Sequence, residues 1–407
     1  MSNVIKIVDA RCGAGKTSWA IQTMKESKNK SYIYITPYLT EIERIIKATG
    51  GDFKQPNNKN QYGSKLESLK WLITRNENIV CTHELFKLCD IEILDLIKEM
   101  NYILILDEVM NVINPIKISK YDIDMLVNQN IISIDAESGI IKWLNDDYNG
   151  EFNTLKQLAK NDNLFIFRDT FIFWTLHHKS FKVFKEIYIL TYLFDGQIQR
   201  YYYDLHNFTY EKYSVVREKD KYKLVAYDNK LDNREQIKDL LIIHEDKGKV
   251  KINSNFCKRV TNNMFSSTWL SKCDNTTLQL INKNLFNYFK NNKIPVNKIF
   301  WTTIKSTKNK LINKKTKNKN FVSVNVRATN EYKECTGCAF VYNRYVNPVE
   351  KAFFEFHGVE VNEDILAISD LIQFIFRGCI RENKQMYIYL PSIRMRELLY
   401  KYLNYEI

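Results

Sequence analysis

The chain has 407 residues, 45% hydrophobic and 26% charged, enough for two or three packed domains of ordinary soluble composition. Its longest apolar runs, such as 187–194, are strand-sized, which excludes a membrane-spanning class, and only 12 Gly and 6 Pro argue against long disordered linkers. Sixty Lys and Arg against 47 Asp and Glu leave a net charge of +13, which favours polyanion partners, although a Lys/Asn/Ile-rich coding bias accounts for part of it.

In chain order, Val4–Val8 is predicted as a strand ending at a glycine-bearing turn, and Ser18–Lys25 as the helix after it. Further strands are expected at Tyr32–Ile35, Ile79–Thr82 and Tyr102–Leu106. Each delivers a polar residue at its C-terminal end, the edge where open α/β sheets bind ligands. Helical patterns follow at Lys156–Lys160 and Phe171–Phe184, then a buried strand at Ile187–Phe194. Residues 198–257 read as a charged connecting or accessory segment. A second strand–helix series occupies 258–407. Its strands are expected at Lys298–Thr303, Phe321–Val326, Ala339–Asn343 and Met386–Leu390, and its helices at Leu278–Asn291, Asn362–Arg381 and Arg394–Tyr405. Lys305–Lys319 holds seven lysines and no acidic residue, and reads as a mobile solvated loop that adds affinity without geometry, the alternative being an electrostatic clamp on a nucleic-acid duplex. Cys335 and Cys338 form a single close pair, which cannot complete a tetrahedral zinc site unless Cys257 and Cys273 join it.

Ala10-Arg-Cys-Gly-Ala-Gly-Lys-Thr17 sits between a predicted strand and a predicted helix, the context of a phosphate-binding loop. Backbone N–H groups around Gly13, Ala14 and Gly15 wrap the β-phosphate in such a loop, Lys16 reaches the β- and γ-phosphates, and the Thr17 hydroxyl holds Mg²⁺. Asp107-Glu108 closes the apolar strand at Leu106. One carboxylate there serves Mg²⁺ and the next polarises the attacking water. ATP and Mg²⁺ are therefore the expected cofactors. Gln373, Arg377 and Arg381 fall at i, i+4 and i+8, so a helix would present them on one stripe, as an arginine finger and a γ-phosphate sensor require.

The loop resembles motif I of superfamily 2 helicases, and Asp107-Glu108-Val109-Met110 resembles their motif II. The fourth residue departs from both the DEAD and the DEAH form, so the subfamily stays open. Gln373 to Arg381 is similar to motif VI with its arginines one residue further apart, Arg381 being the favoured finger and Arg377 a contact to phosphate or motif II. The order continues with Thr36-Pro37 (motif Ia), Thr82-His83-Glu84 (Ib), Thr191 (motif III, coupling ATP to nucleic acid), Thr302 (IV) and Thr329-Asn330 (V). The ending Tyr389–Arg396 resembles phage-encoded members.

The resemblance implies an α/β fold of two RecA-like domains with parallel sheets. The first covers 1–197 with an accessory insertion near 112–185, and the second 258–407. It implies an ATP-dependent helicase or translocase hydrolysing ATP in the interdomain cleft, with Glu108, Arg381, Arg377 and Gln373 catalytic. Thr36, Pro37, Thr82, His83, Thr302, Thr329 and Asn330 would then hold nucleic acid. DNA, single-stranded or forked, is the expected partner ahead of RNA, with replication or recombination proteins beside it and no membrane. The absence of an export signal at Met1–Lys6 predicts a cytoplasmic location, the host's if phage-encoded. Nine residues precede the loop, too few for the upstream glutamine motif, so base selection is expected to be loose or supplied elsewhere. A packaging-type ATPase and a helicase-fold binding or anti-defence module are the alternatives.

Overall fold

The computed structural model describes residues 4–27, 29–59, 63–136, 138–160, 162–245, 253–256, 261–324 and 331–407. The chain divides into two compact units. One holds residues 1–9, 15–227 and 347–361, the other 10–14, 228–346 and 362–407.

The strands are β1 Ile5–Asp9, β2 Tyr32–Thr36, β3 Phe53–Lys54, β4 Asn78–Thr82, β5 Ile103–Asp107, β6 Ile113–Ile116, β7 Ile132–Ile134, β8 Ile141–Trp143, β9 Leu164–Phe167 and β10 Phe171–Thr175. They continue as β11 Glu186–Thr191, β12 Tyr210–Glu218, β13 Lys221–Ala226, β14 Leu241–Ile243, β15 Ile299–Thr302, β16 Gly337–Phe340 and β17 Met386–Tyr389.

In the first unit, eight strands form one sheet in the order β13-β12-β1-β11-β5-β2-β4-β3, parallel throughout except for β13, which runs antiparallel to β12. β5 and β2 are apolar up to their last residue, Ile-Leu-Ile-Leu in β5 being wholly buried, because a sheet covered on both faces has no solvent side to favour alternation. The first helix, α1 (Lys16–Glu26), lays Trp19, Ala20 and Met24 on one face of this sheet. Residues 113–175 form two small antiparallel ladders, β6-β10-β9 and β7-β8.

In the second unit, β14-β17-β16-β15 is a four-stranded parallel sheet. The helices Asn275–Asn291, Glu363–Ile375 and Ile393–Leu403 accompany it. Both units are thus mixed α/β with parallel sheets.

Four expectations are corrected. Phe171–Phe184 is not helical: Phe171–Thr175 is a strand, turned back from β9 by Arg168 and Asp169, both left-handed at φ 51° and 52°, and only Lys179–Lys182 is helix. The first unit does not stop at 197, because β12 pairs with β1 and carries the sheet outward through β13. Lys305–Lys319 is ordered: Leu311 and Thr316 are fully buried, and the Asn282 and Asn313 amides bond across the segment. Its lysines therefore project from a fixed scaffold. Finally, the helix expected over Asn362–Arg381 ends at Ile375. The chain must pass the Cys335 carbonyl so closely that a methyl on Gly378 would lie 3.0 Å from it, and Cys379 N–H bonds that carbonyl instead of continuing the helix. Of the strand expected at Phe321–Val326, Phe321 makes only an isolated bridge to Trp301, and residues 325–326 lie outside the described residues.

Candidate nucleotide site

The phosphate loop follows β1 and runs into α1. Gly13 and Gly15 are left-handed at φ 86° and 99°, a conformation that favours glycine, and Ala14 N–H closes a turn onto Arg11 O at 3.2 Å. Gly15 is also the N-cap of α1 and brings no side-chain cap, so the positive end of the helix is left for an external anion. Lys16 is buried, and Thr17 is half-buried on the first turn.

The acidic pair sits two strands away. Asp107 is the last residue of β5, in register with Leu190 of β11. Burial and then the neighbouring Glu108 charge push its carboxyl up to about 7, while the Tyr34 hydroxyl and Lys16 act in the opposite sense. Lys16 and Asp107 therefore share one electrostatic environment. Glu108 is left-handed at φ 65°, a strained conformation for a residue with a Cβ, and its N–H donates to Leu190 O at 2.9 Å. Its Oε2 is buried and has no hydrogen-bond partner among the described residues. An orphaned carboxylate oxygen beside a carboxyl held up by burial is a donor set that suits a divalent cation and a polarised water.

Around the pair, His83 Nε2 lies 3.1 Å from Asp107 O, linking the end of β4 to the end of β5. Met110 N–H donates to Gln199 Oε1 at 2.8 Å, and Gln199 in turn donates to the Tyr203 hydroxyl at 2.6 Å. Sequence reasoning missed Gln199, whose position 89 residues downstream gives no local signal. It also missed Asp9. This buried carboxylate accepts Leu193 N–H at 2.8 Å and Phe194 N–H at 3.0 Å, tying the last residue of β1 to the turn after β11. Burial pushes Asp9 up to about 6 against those two donors.

The remaining strand-end candidates of this unit come together at the same sheet edge, since β1, β11, β5, β2 and β4 are neighbours in that order. Their side chains are not surface groups, however. Thr36 and Thr191 are fully buried, each Oγ1 without a hydrogen-bond partner among the described residues. Pro37 is half-buried, and Thr82 Oγ1 caps the short helix His83–Phe86 by accepting Leu85 N–H at 3.2 Å.

In the second unit, Thr302 is likewise fully buried, and Thr329 and Asn330 lie outside the described residues. The expected arginine stripe does not exist, because the helix carrying Gln373 stops before either arginine. Gln373 donates to Ser369 Oγ at 3.1 Å. Arg377 is buried, donates to Ser323 O at 3.3 Å and Val324 O at 3.2 Å, and lies over the Phe374 ring. It anchors the segment that precedes 325–330. Arg381 is half-buried in the 3-10 turn Cys379–Glu382. Arg394, in the Tyr389–Arg396 ending, is a buried clamp on Asp364, Asn343 Oδ1 and Arg344 O. Cys335 and Cys338 are buried, which raises both thiols, Cys335 to about 11, and Cys257 lies outside the described residues.

Residues 235–403 match the family model of the YonV C-terminal Rossmann-like domain, and residues 113–174 that of the YonV middle domain. Over 417 residues the chain is 39% identical to an uncharacterized SPbeta prophage-derived protein, YonV, of Bacillus subtilis strain 168, with 98% of both chains covered. The chain belongs to the YonV family. The YonV middle domain corresponds to the antiparallel ladders β6 to β10, and the YonV C-terminal domain spans all four strands of the second unit's sheet.

A solved structure of apo XPD is similar in fold, with a TM-score of 0.51 at 13% identity over 99% of this chain and 96% of that one. Structures of an XPD helicase (TM-score 0.46, 12%, 99% and 95%) and of S. tokodaii Xpd4 (0.49, 12%, 99% and 94%) also align. At such identity the likeness concerns the fold alone. Among the described residues no helix is long and apolar enough to cross a membrane.

Proposed function

We propose that this YonV-family chain is a nucleic-acid-stimulated ATPase of the helicase or translocase type, acting on DNA in preference to RNA. The observation that carries this reading is the meeting of Lys16, Asp107 and Glu108 at one edge of one parallel sheet, with Glu108 held in a left-handed backbone. The loop N–H groups and Lys16 would hold the β- and γ-phosphates of ATP, and Thr17 with Asp107 would hold Mg²⁺, which supplies charge neutralisation when bound. Glu108, through Oε2, orients and polarises the attacking water. Thr191, between the strands of the loop and the acidic pair, is the proposed coupling residue. Arg381 is the proposed finger, because Arg377 is engaged by backbone carbonyls of its own unit.

Hydrolysis measured with single-stranded, forked and duplex DNA and with RNA tests the reading. A nucleic acid should stimulate turnover, and Lys16→Ala or Glu108→Gln should lower it by about a hundredfold or more. Absence of hydrolysis with every nucleic acid would sink the proposal.

A further inference from the structure

We infer that the β12–β13 hairpin supplies the base-contacting surface of the nucleotide site, with the Tyr222 ring stacking on the nucleoside base of the bound triphosphate. This rests on the phosphate-site reading above and adds the other end of the ligand.

The sheet order dictates the ligand's direction. β1 delivers the phosphate loop and has β11 on one side and β12 on the other. The acidic pair lies beyond β11, at the end of β5. Asp107 and Glu108, as the residues proposed to serve the cation and the attacking water, would therefore receive the γ-end on the β5 side. The nucleoside end then leaves on the opposite flank, which is built from β12 and β13.

On that flank β12 runs on past Tyr213, which pairs with Val8, and returns as β13, with Tyr222 opposite Arg217. The backbone of Tyr222 is pinned to α1 in both directions. Its N–H donates to Gln22 Oε1 at 2.8 Å, and Gln22 Nε2 donates to its carbonyl at 3.4 Å. Lys221 adds an ion pair to Glu26 at 3.0 Å. The side chain reaches the loop itself: a methyl on Gly15 would come within 2.2 Å of Tyr222 Cε1. An aromatic ring is thus held against the residue that immediately precedes Lys16. The ring is half-buried at the margin of the core around α1, and the Arg217 guanidinium lies 5.9 Å from its centre.

A ring fixed beside a phosphate cradle offers a base a stacking surface but no hydrogen-bond code. Every base has a π-face, so selectivity among bases should be weak. Hydrophobic packing of Tyr222 against α1 alone would leave no preference between a nucleotide and a bare polyphosphate, which separates the two roles.

Calorimetric titration of the full chain with Mg²⁺ and either ATP or inorganic tripolyphosphate tests this. Tyr222→Ala should weaken ATP about tenfold and leave tripolyphosphate within about twofold, and Tyr222→Phe should restore ATP. The backbone bonds to Gln22 persist in both variants, so the hairpin stays in place. Equal changes in both ligands, or an unchanged ATP affinity, would overturn the inference while leaving the phosphate site standing. If the unmodified chain binds neither ligand and Lys16→Ala alters nothing, the phosphate site itself is wrong and the inference falls with it.

Discussion

Replacing Asp9 by Ala should destabilise the first unit more in mild acid than at neutral pH, the reverse of what a simple carboxylate clamp implies. Asp9 is 2% exposed and accepts two backbone N–H bonds, both of which favour its ionised form. Burial outweighs them, and its carboxyl moves from 3.8 to about 6. A raised carboxyl binds its proton more tightly folded than unfolded. Its stabilising contribution is therefore complete below about pH 4 and declines as pH rises through 6. That rise corresponds to about 3 kcal/mol, about half of it between pH 5 and 8. Urea unfolding of the unmodified chain and of Asp9→Ala across that window isolates the effect, since other titrations are common to both. The cost of the substitution should fall by about half of that amount from pH 5 to pH 8. A cost that rises with pH would refute this, since it would mean that the two N–H donors win over burial.

Three further outcomes concern Arg377 and Arg381 in the second unit and a histidine stack in the first. Arg377→Ala should cost about 3 kcal/mol of stability, because it strands the Ser323 and Val324 carbonyls. Arg381→Ala should leave the melting temperature nearly unchanged and cut ATP turnover by about a thousandfold. Denaturation and hydrolysis assays on both variants would expose a mistaken assignment if the two patterns were exchanged. His206 stacks with His178, which stacks with His177. Burial, then these positive neighbours and Lys182, lower His206 to about 4. A lowered base stays neutral in the fold, so its contribution is intact above pH 6.5 and lost as pH falls toward 4. His206→Leu should flatten the decline in melting temperature over that range, and an unaltered slope would count against the mechanism.

The parallel core was legible because its strands are buried on both faces, which writes them as continuous apolar runs such as Ile103 to Leu106. The positions of the glycine-bearing loop and the acidic pair were legible for the same reason, as the polar residues at which such runs stop. What escaped depended on tertiary context. Phe171 to Thr175 is apolar enough for a helix or a strand, and only the left-handed Arg168-Asp169 turn decides between them. The spacing of Arg377 and Arg381 suits a helix face, but the close pass of Gly378 beside Cys335, over forty residues upstream, ends the helix first. Tyr222 carried no signal at all, since its partners Gly15 and Gln22 are about two hundred residues away.

Glu108 occupies a backbone conformation that glycine or asparagine would adopt at lower cost, and its carboxylate is half-withdrawn from water with one oxygen unbonded. Exchange for asparagine would ease the backbone strain and remove the carboxylate, and with it the group proposed to polarise a water. A screen that rewarded thermal tolerance alone would favour asparagine here and return a chain without the proposed water-polarising carboxylate. The position is thus where robustness and the proposed chemistry make opposite demands on a single side chain.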